Sequence, residues 1–219
     1  MSSIQPLILA AGHGVRMGSI LPKPLVPVAG KPMIEHLLKT VRQSDFLLKP
    51  IIVVSPNSPV PSALGNAYQY VVQNEQGGTG QAVACAREAL QGKSDHTLVM
   101  YADQPFIQPA TLQAITERHI QENAVMTVTT LVVPNFMGSL QSFNDYGRII
   151  RDSAGALQAI VEYKDATDKQ RAIREVTAIF FCFKSSWLWA NIDAIRPSPV
   201  TGERYLPDMI EMALRQGQK

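Results

Sequence analysis

The sequence predicts an α/β fold: a mixed, mainly parallel sheet covered by helices on both faces. Through the first half of the 219 residues, short apolar runs alternate with helix-like stretches. The strand candidates are apolar at every position rather than at alternate ones, as strands buried on both faces are. The first strand candidate runs into a glycine-rich segment, and open α/β sheets bind ligands at the carboxyl ends of their strands.

Each element has its own warrant. Pro6–Ala11 is an apolar run ended by glycines, a buried strand feeding a loop. In Pro32–Gln43, the residues Met33, Ile34, Leu37, Leu38 and Val41 recur on one helical face, and Pro32 suits a first turn. Pro50–Val54 is the second strand, stopped by the three prolines of Ser55–Pro61. A short helix near Ser62–Tyr70 leads to a third strand at Tyr70–Val72. Gly80–Gln91 is alanine-rich and helical, Thr97–Tyr101 is the fourth strand, and Ala110–Gln121 is a further helix. Crossovers of this kind are nearly always right-handed.

The second half changes character. Val125–Val133 is rich in Val and Thr, and a loop runs on to Tyr146. Short strands are expected at Gly147–Arg151, Ala159–Glu162 and Val176–Phe183, then a helix near Ser185–Ile195 with Ser185 as its cap. Arg196–Gly202 reads as a loop and Tyr205–Arg215 as the final helix. No linker or internal repeat divides the chain, so one domain is expected.

Composition narrows the function classes. Twenty Lys and Arg against eighteen Asp and Glu leave +2, which gives no footprint for nucleic acid or a membrane surface. Cys85 and Cys182 are too few for a disulfide scaffold and read as two buried thiols of a reducing compartment. No stretch approaches the about 20 apolar residues of a membrane helix, and the first residues lack a signal-peptide pattern. A cytoplasmic protein is expected.

Three features carry chemistry. In Leu9–Gly18, the glycines Gly12, Gly14 and Gly18 permit tight turning and close backbone approach, and successive N–H groups can form an anion nest. Arg16 and Lys23 add positive charge, and Pro22, Pro24 and Pro27 stiffen the path; together they describe a polyphosphate cradle. Neither a Walker loop nor a Gly-x-Gly-x-x-Gly fingerprint fits. No acidic residue ends the second strand, which disfavours a dehydrogenase. The second feature is Glu75–Gly80, three glycines and Thr79 opening a helix, where Gln76 offers both a donor and an acceptor to a base edge. A plain helix start capped by Thr79 is the competing reading. The third is Asp103, a carboxylate at a strand's carboxyl end, placed to hold Mg²⁺ against phosphates or to cap a turn. His13 lies inside the first loop; His36, His96 and His119 lack metal-ligand spacing and read as structural or surface groups. Trp187, Trp189 and Phe180–Phe183 read as core or interface.

Leu9–Met33, LAAGHGVRMGSILPKPLVPVAGKPM, resembles the signature of the nucleotide-sugar pyrophosphorylases, the sugar-1-phosphate nucleotidyltransferases. Gln76–Ala82, Tyr101–Asp103, Tyr146–Ile149, Ile160–Asp165 and Glu203–Asp208 resemble that family's later segments in order, so the likeness spans nearly the whole chain. Within the family it is nearest to the N-terminal uridylyltransferase domain of the bifunctional enzymes that make UDP-N-acetylglucosamine. The resemblance implies a single Rossmann-like three-layer α/β/α domain with a small sugar-binding β annex. Residues 1–123 would form the nucleotide-binding half and 124–219 the sugar-phosphate-binding half. It implies a nucleotide site of Leu9, Ala10, Ala11, Gly12, Gly14, Gln76, Gly78, Thr79 and Gly80. Arg16 would grip the β- and γ-phosphates, Lys23 the α-phosphate region, and Asp103 would hold Mg²⁺. Gly147, Glu162 and Thr177 would meet the sugar.

The implied reaction converts NTP and a sugar 1-phosphate to NDP-sugar and pyrophosphate. UTP is favoured, with CTP, dTTP and GTP open. The acceptor phosphate is already ionised, so positioning and charge neutralisation suffice without a general base. A monomer or homodimer is expected. A catalytically silent nucleotide or sugar-phosphate binder, and a cytidylyltransferase of a non-sugar phosphate, stay open as alternatives. The sequence departs from the family at Ala102, where Gly is usual, and at Val176, where an Asn often contacts the sugar. The family's second metal ligand lies on a strand after the last helix; this sequence runs four residues past that helix, and Asp208 is one candidate for the role. There is no hexapeptide repeat.

Overall fold

Strand β1 (Ile4–Leu9) is the centre of the architecture. It pairs in parallel with β4 (Ile51–Val54) on one side and with β6 (His96–Tyr101) on the other, while β5 (Gln69–Val72) extends the parallel set beyond β4. The computed structural model describes residues 2–12, 21–45 and 48–219, without the side chain of Ile179. Between β1 and β4 lie a small ribbon of β2 (Pro27–Val28) and β3 (Lys31–Pro32) and the helix α1 (Met33–Gln43). The ribbon turns through Ala29 and Gly30, both at positive φ (48° and 80°). Helices α2 (Val60–Leu64), α3 (Thr79–Cys85), α4 (Arg87–Leu90) and α5 (Pro109–Gln121) make the remaining connections of the first half.

In the second half, β7 (Met126–Val132), β8 (Arg148–Arg151), β9 (Leu157–Val161) and β10 (Glu175–Lys184) are joined by antiparallel ladders. The sheet is therefore mixed, in the order β5-β4-β1-β6-β10-β8-β9, with β7 also on β10. Strand β10 is the joint. Its Phe181–Lys184 end pairs with β6, its Val176 pairs with Arg148 of β8, and its ladder to β7 shifts register between Thr177 and Phe181. The expected annex, β8 and β9, continues the main sheet.

Alternation along the strands sorts the core into two layers, as a sheet covered on both faces requires. Ile8, Ile52, Val54, Leu98 and Met100 face Ile34, Leu37 and Leu38 of α1 and Leu112 and Ile115 of α5. Leu7, Leu9, Ile51, Val53, Val99, Phe181 and Phe183 face the opposite helices: Ala82 and Val83 of α3, Leu188 and Trp189 of α7 (Ser185–Asn191), and Met209 and Ile210 of α8 (Met209–Arg215). Phe180–Phe183 and Trp189 are thus core residues. Cys85 and Cys182 are both free thiols, but only Cys182 is buried; Cys85, expected to be buried as well, is half-buried on α3. No helix among the described residues is long and apolar enough to cross a membrane.

Several local expectations change. The helix expected over Gly80–Gln91 breaks at Ala86 into α3 and α4. The final helix begins only at Met209, after a 3-10 turn at Leu206–Asp208 that carries Pro207. Ser185 caps nothing: Lys184 holds the N-cap position, and the Ser185 hydroxyl is buried 2.9 Å from Thr97 Oγ1. A short helix α6 (Asp168–Arg171) lies in the connection from β9 to β10, held by a capping box of Thr167 and Gln170.

Candidate functional site

Leu9 and Tyr101 are in register at the carboxyl ends of β1 and β6, where the two chains part. The cleft that opens there holds about 360 Å³. Leu9, Ala10, Ala11 and Gly12 form one wall; Gln76, Gly78 and Thr79 form another; Lys23, Tyr101 and Asp103 close the end. Of the residues expected to bind nucleotide or metal, these all share one cavity. Arg16 and Gly14, like His13, lie outside the described residues.

The two glycine segments are tied to each other and to the C-terminal quarter. Gln76 Nε2 donates to the Ala11 carbonyl at 3.1 Å. Gln73, which the sequence reading passed over, is buried and donates to the Gly78 carbonyl at 3.2 Å. Gly78 sits at φ 93°, and a Cβ there would stand 2.6 Å from the Arg204 carbonyl oxygen and 2.8 Å from its nitrogen, so only glycine fits. Arg204 N donates to the Gly77 carbonyl, and Gly80 N to the Arg204 carbonyl, both at 2.8 Å. Gly80 therefore stands behind the cleft, its N–H spent and its α-carbon against Ile195. The Thr79 hydroxyl does not cap α3: it accepts from Leu206 N at 2.9 Å. Gly12 has open space where a side chain would be.

Lys23 Nζ lies 2.5 Å from Asp103 Oδ2. The other oxygen, Oδ1, is buried with no hydrogen-bond partner among the described residues. A carboxylate at the end of a cleft with one oxygen left unpaired carries uncompensated charge, which fits a cation on its open side. Among the described residues no group of three His, Cys, Asp or Glu could hold a metal. A cation on Asp103 would complete its oxygen shell from water and phosphates, the ordinary habit of Mg²⁺. Asp208 is not brought to this place; it lines a different cavity with Asp165, Arg196, Ser198 and Glu211.

The three expected sugar residues are neighbours. A Cβ on Gly147 would stand 3.3 Å from Thr177 Cγ2 and 3.4 Å from Glu162 Oε1. Glu162 opens on a second cavity of about 400 Å³ shared with Asp145, Tyr163, Lys164, Glu203 and Tyr205. Glu203 lines both cavities and so marks their junction; nothing in the sequence pattern singled out its side chain. Burial, then the nearby Asp208, Asp165 and Glu203, push the Glu162 carboxyl up to about 7. Burial also raises the Tyr101 phenol, helped by Glu162 and Asp103. Val176 is fully buried and offers no polar group here.

Arg148, inside the segment expected at the sugar site, is instead fully buried structure. Its guanidinium donates to the carbonyls of Arg171, Asn144 and Tyr146 and to Asn144 Oδ1, and lies over the Phe136 ring at 4.6 Å. His36 Nε2 is 2.7 Å from the Val28 carbonyl oxygen, and the rings of His96 and His119 meet edge to face at 4.9 Å; all three are structural.

Comparison with known proteins gives a consistent picture. The profile of the MobA-like NTP transferase domain matches residues 6–174. The bifunctional protein GlmU of Brevibacillus brevis is 36% identical over 219 residues, covering 100% of this chain and 46% of that protein. GlmU of Heliobacterium modesticaldum is 41% identical over 212 residues, covering 96% of this chain and 44% of that one. The chain thus spans a little under half the length of these curated relatives. A crystal structure of UDP-glucose pyrophosphorylase with UDP-glucose superposes with a TM-score of 0.78 at 16% identity, covering 100% of this chain and 89% of the other; at that identity the likeness is one of fold.

Proposed function

Since the chain belongs to the family of MobA-like NTP transferase domains, we propose that it moves a nucleoside monophosphate from an NTP, UTP favoured, to the phosphate of a sugar 1-phosphate. The products are an NDP-sugar and pyrophosphate. The observation that supports this best is the shared cleft: Lys23 and Asp103 at one end, the backbone of Ala10–Gly12 and the Gln76–Gly78 segment beside them. The curated GlmU relatives and the UDP-glucose pyrophosphorylase fold favour the same class of reaction.

In this reading Leu9–Gly12, Gln76, Gly78 and Thr79 hold the nucleoside, with Gly80 supporting them from behind, and Gly14 and Arg16 meet the outer phosphates. Lys23 donates to oxygens of the α-phosphate as the acceptor phosphate oxygen forms its bond to phosphorus and the bond to pyrophosphate breaks. Asp103 would hold Mg²⁺, which when bound supplies neutralisation of phosphate charge. Gly147, Glu162 and Thr177 form the acceptor side, where the Glu162 carboxylate can accept hydroxyl hydrogen bonds. The chain works in the cytoplasm as a monomer or homodimer.

The test is pyrophosphate release from a matrix of NTPs and phosphorylated acceptors, including choline phosphate. The wild type should turn over one NTP with a sugar 1-phosphate. Lys23→Ala should lose about two to three decades of turnover, the usual loss for one electrostatic donor to the transition state. Turnover within about twofold of wild type would remove Lys23 from the mechanism. Nucleotide binding without pyrophosphate from any pair would favour a silent binder.

A further inference from the structure

We propose that Lys23 serves as a resident cation on Asp103, so that the chain takes up a divalent metal only together with the phosphates of a nucleotide. The two oxygens of Asp103 are both closed to a bare ion. Oδ1 is sealed from solvent. Oδ2, the oxygen that a cation entering from the cleft would meet, is already 2.5 Å from the Lys23 ammonium. A small divalent ion sits at roughly 2.0–2.1 Å from a carboxylate oxygen and brings its own shell of waters. Sharing Oδ2 with an ammonium held that close sets two positive charges against each other and weakens the hold on the ion. Nor do the described residues offer a substitute shell, because no group of three metal-ligating side chains stands among them.

Loading the metal therefore means moving Lys23, and the ammonium moves readily only if another anion receives it. Its side chain and that of Asp103 are 36% and 27% exposed, so the pair stands at the accessible end of the cleft rather than locked in the core. A triphosphate entering the same cavity supplies acceptor oxygens within reach of the ammonium. Transfer of Lys23 from Asp103 to phosphate leaves Oδ2 negative and open, and the orphaned Oδ1 beside it adds to the charge. Metal and nucleotide then raise each other's affinity, as reciprocal linkage requires. The identity of the displacing anion rests on the proposed nucleotide site; the latch itself is a property of the free chain.

The experiment is a Mn²⁺ titration of the full, nucleotide-free chain, with free Mn²⁺ read by its electron paramagnetic resonance signal. The wild type should bind weakly, and Lys23→Met should bind about fivefold or more tightly. The gain should vanish when Asp103→Asn is added. Lys23→Arg keeps a cation on Oδ2 and should stay at the wild-type affinity, which serves as the second reading if Lys23→Met does not fold. Adding a non-hydrolysable UTP analogue to the wild type should draw in Mn²⁺ beyond what the analogue binds alone. Equal affinity of the wild type and a folded Lys23→Met, or a tighter Lys23→Arg, would overturn the latch. A Lys23→Met gain with no enhancement by any nucleoside triphosphate would overturn the coupling and the nucleotide site together, and leave the latch standing.

Discussion

Glu162→Gln separates the charge of the acceptor-side pocket from its shape. Burial and the carboxylates of Asp208, Asp165 and Glu203 raise Glu162 from an ordinary 4.5 to about 7, against a smaller opposite pull from Lys164. The fold thus keeps this proton to higher pH than the unfolded chain does. Between 4.5 and about 7 the folded state binds more protons. Its stability is therefore full below that window and falls as pH rises through it. The gap sets a ceiling of about 3 kcal/mol. Glu162 is only half-buried, and screening by water reduces the expected cost to about 1–2 kcal/mol.

Glutamine copies the protonated carboxyl and carries no charge at any pH. The variant should match the wild type at pH 4, below the window, and exceed it by about 1–2 kcal/mol at pH 8 in urea unfolding. Acceptor KM should rise while NTP KM holds. Two other groups titrate nearby: Asp208, raised to about 6 by burial and by Glu211 and Asp165, and His119, held down at about 4 by burial and by His96 and Lys184. His119 acts in the opposite sense, neutral in the fold and adding stability as pH rises from about 4 to 6.5. Both are present in wild type and variant, so His119 cancels in the difference, and Asp208 enters it only through its interaction with the Glu162 charge. An equal gain at pH 4 and pH 8, or a loss at pH 8, would refute the electrostatic account.

Further outcomes follow from the packing. Gly78→Ala forces a side chain into a glycine-only backbone region, with its Cβ 2.6 Å from the Arg204 carbonyl oxygen; it should cost about 3 kcal/mol or more in thermal or urea unfolding. Gly12→Ala meets nothing within 4 Å and should stay within about 0.5 kcal/mol of wild type, so equal losses at the two glycines would contradict this packing. Arg148→Met removes the donor to three part-buried carbonyls and should destabilise by about 2–4 kcal/mol, measured by urea midpoint; a change under about 1 kcal/mol would show that the guanidinium is dispensable.

The sheet was legible in the sequence because its strands are apolar on both faces, and a run such as Ile51–Val54 has few other uses. All four of its residues are buried. The walls of the cleft were legible for a related reason: glycines clustered after a strand, with Lys23 and Asp103 close by, mark backbone that turns tightly or meets a ligand, although Gly78 proves to be glycine for its packing against Arg204. Other features were hidden because they depend on partners remote in sequence. The β2–β3 ribbon and α6 are too short to show a period. Arg148 looks like the polar position of a half-exposed strand, and only the carbonyls of Asn144, Tyr146 and Arg171 around it make it core. Gly80 looks like a ligand contact until Arg204, 124 residues away in sequence, takes its N–H. Ser185 has a cap's residue type but sits under Thr97.

That remoteness bears on the expected division at residue 123. The two segments interlock, and residues of both line the cleft, so neither completes it alone. Phe181 and Phe183, from the second half, close the core beneath Leu7, Leu9 and Val99 of the first. Phe181 and its neighbours also supply the antiparallel partner that β6 would otherwise lack. The Gly77–Gly80 segment has its conformation set by the backbone of Arg204, and Thr79 by Leu206 N. The same short segment places Glu203 on the junction of the two cavities. A change that repositions residues 203–206 to alter the acceptor side must therefore also move the loop beside the nucleotide cleft. If the cleft takes the nucleotide and the second cavity the acceptor, as proposed, variants there should shift both KM values, whereas Glu162, just past the end of β9 and outside that segment, should shift one.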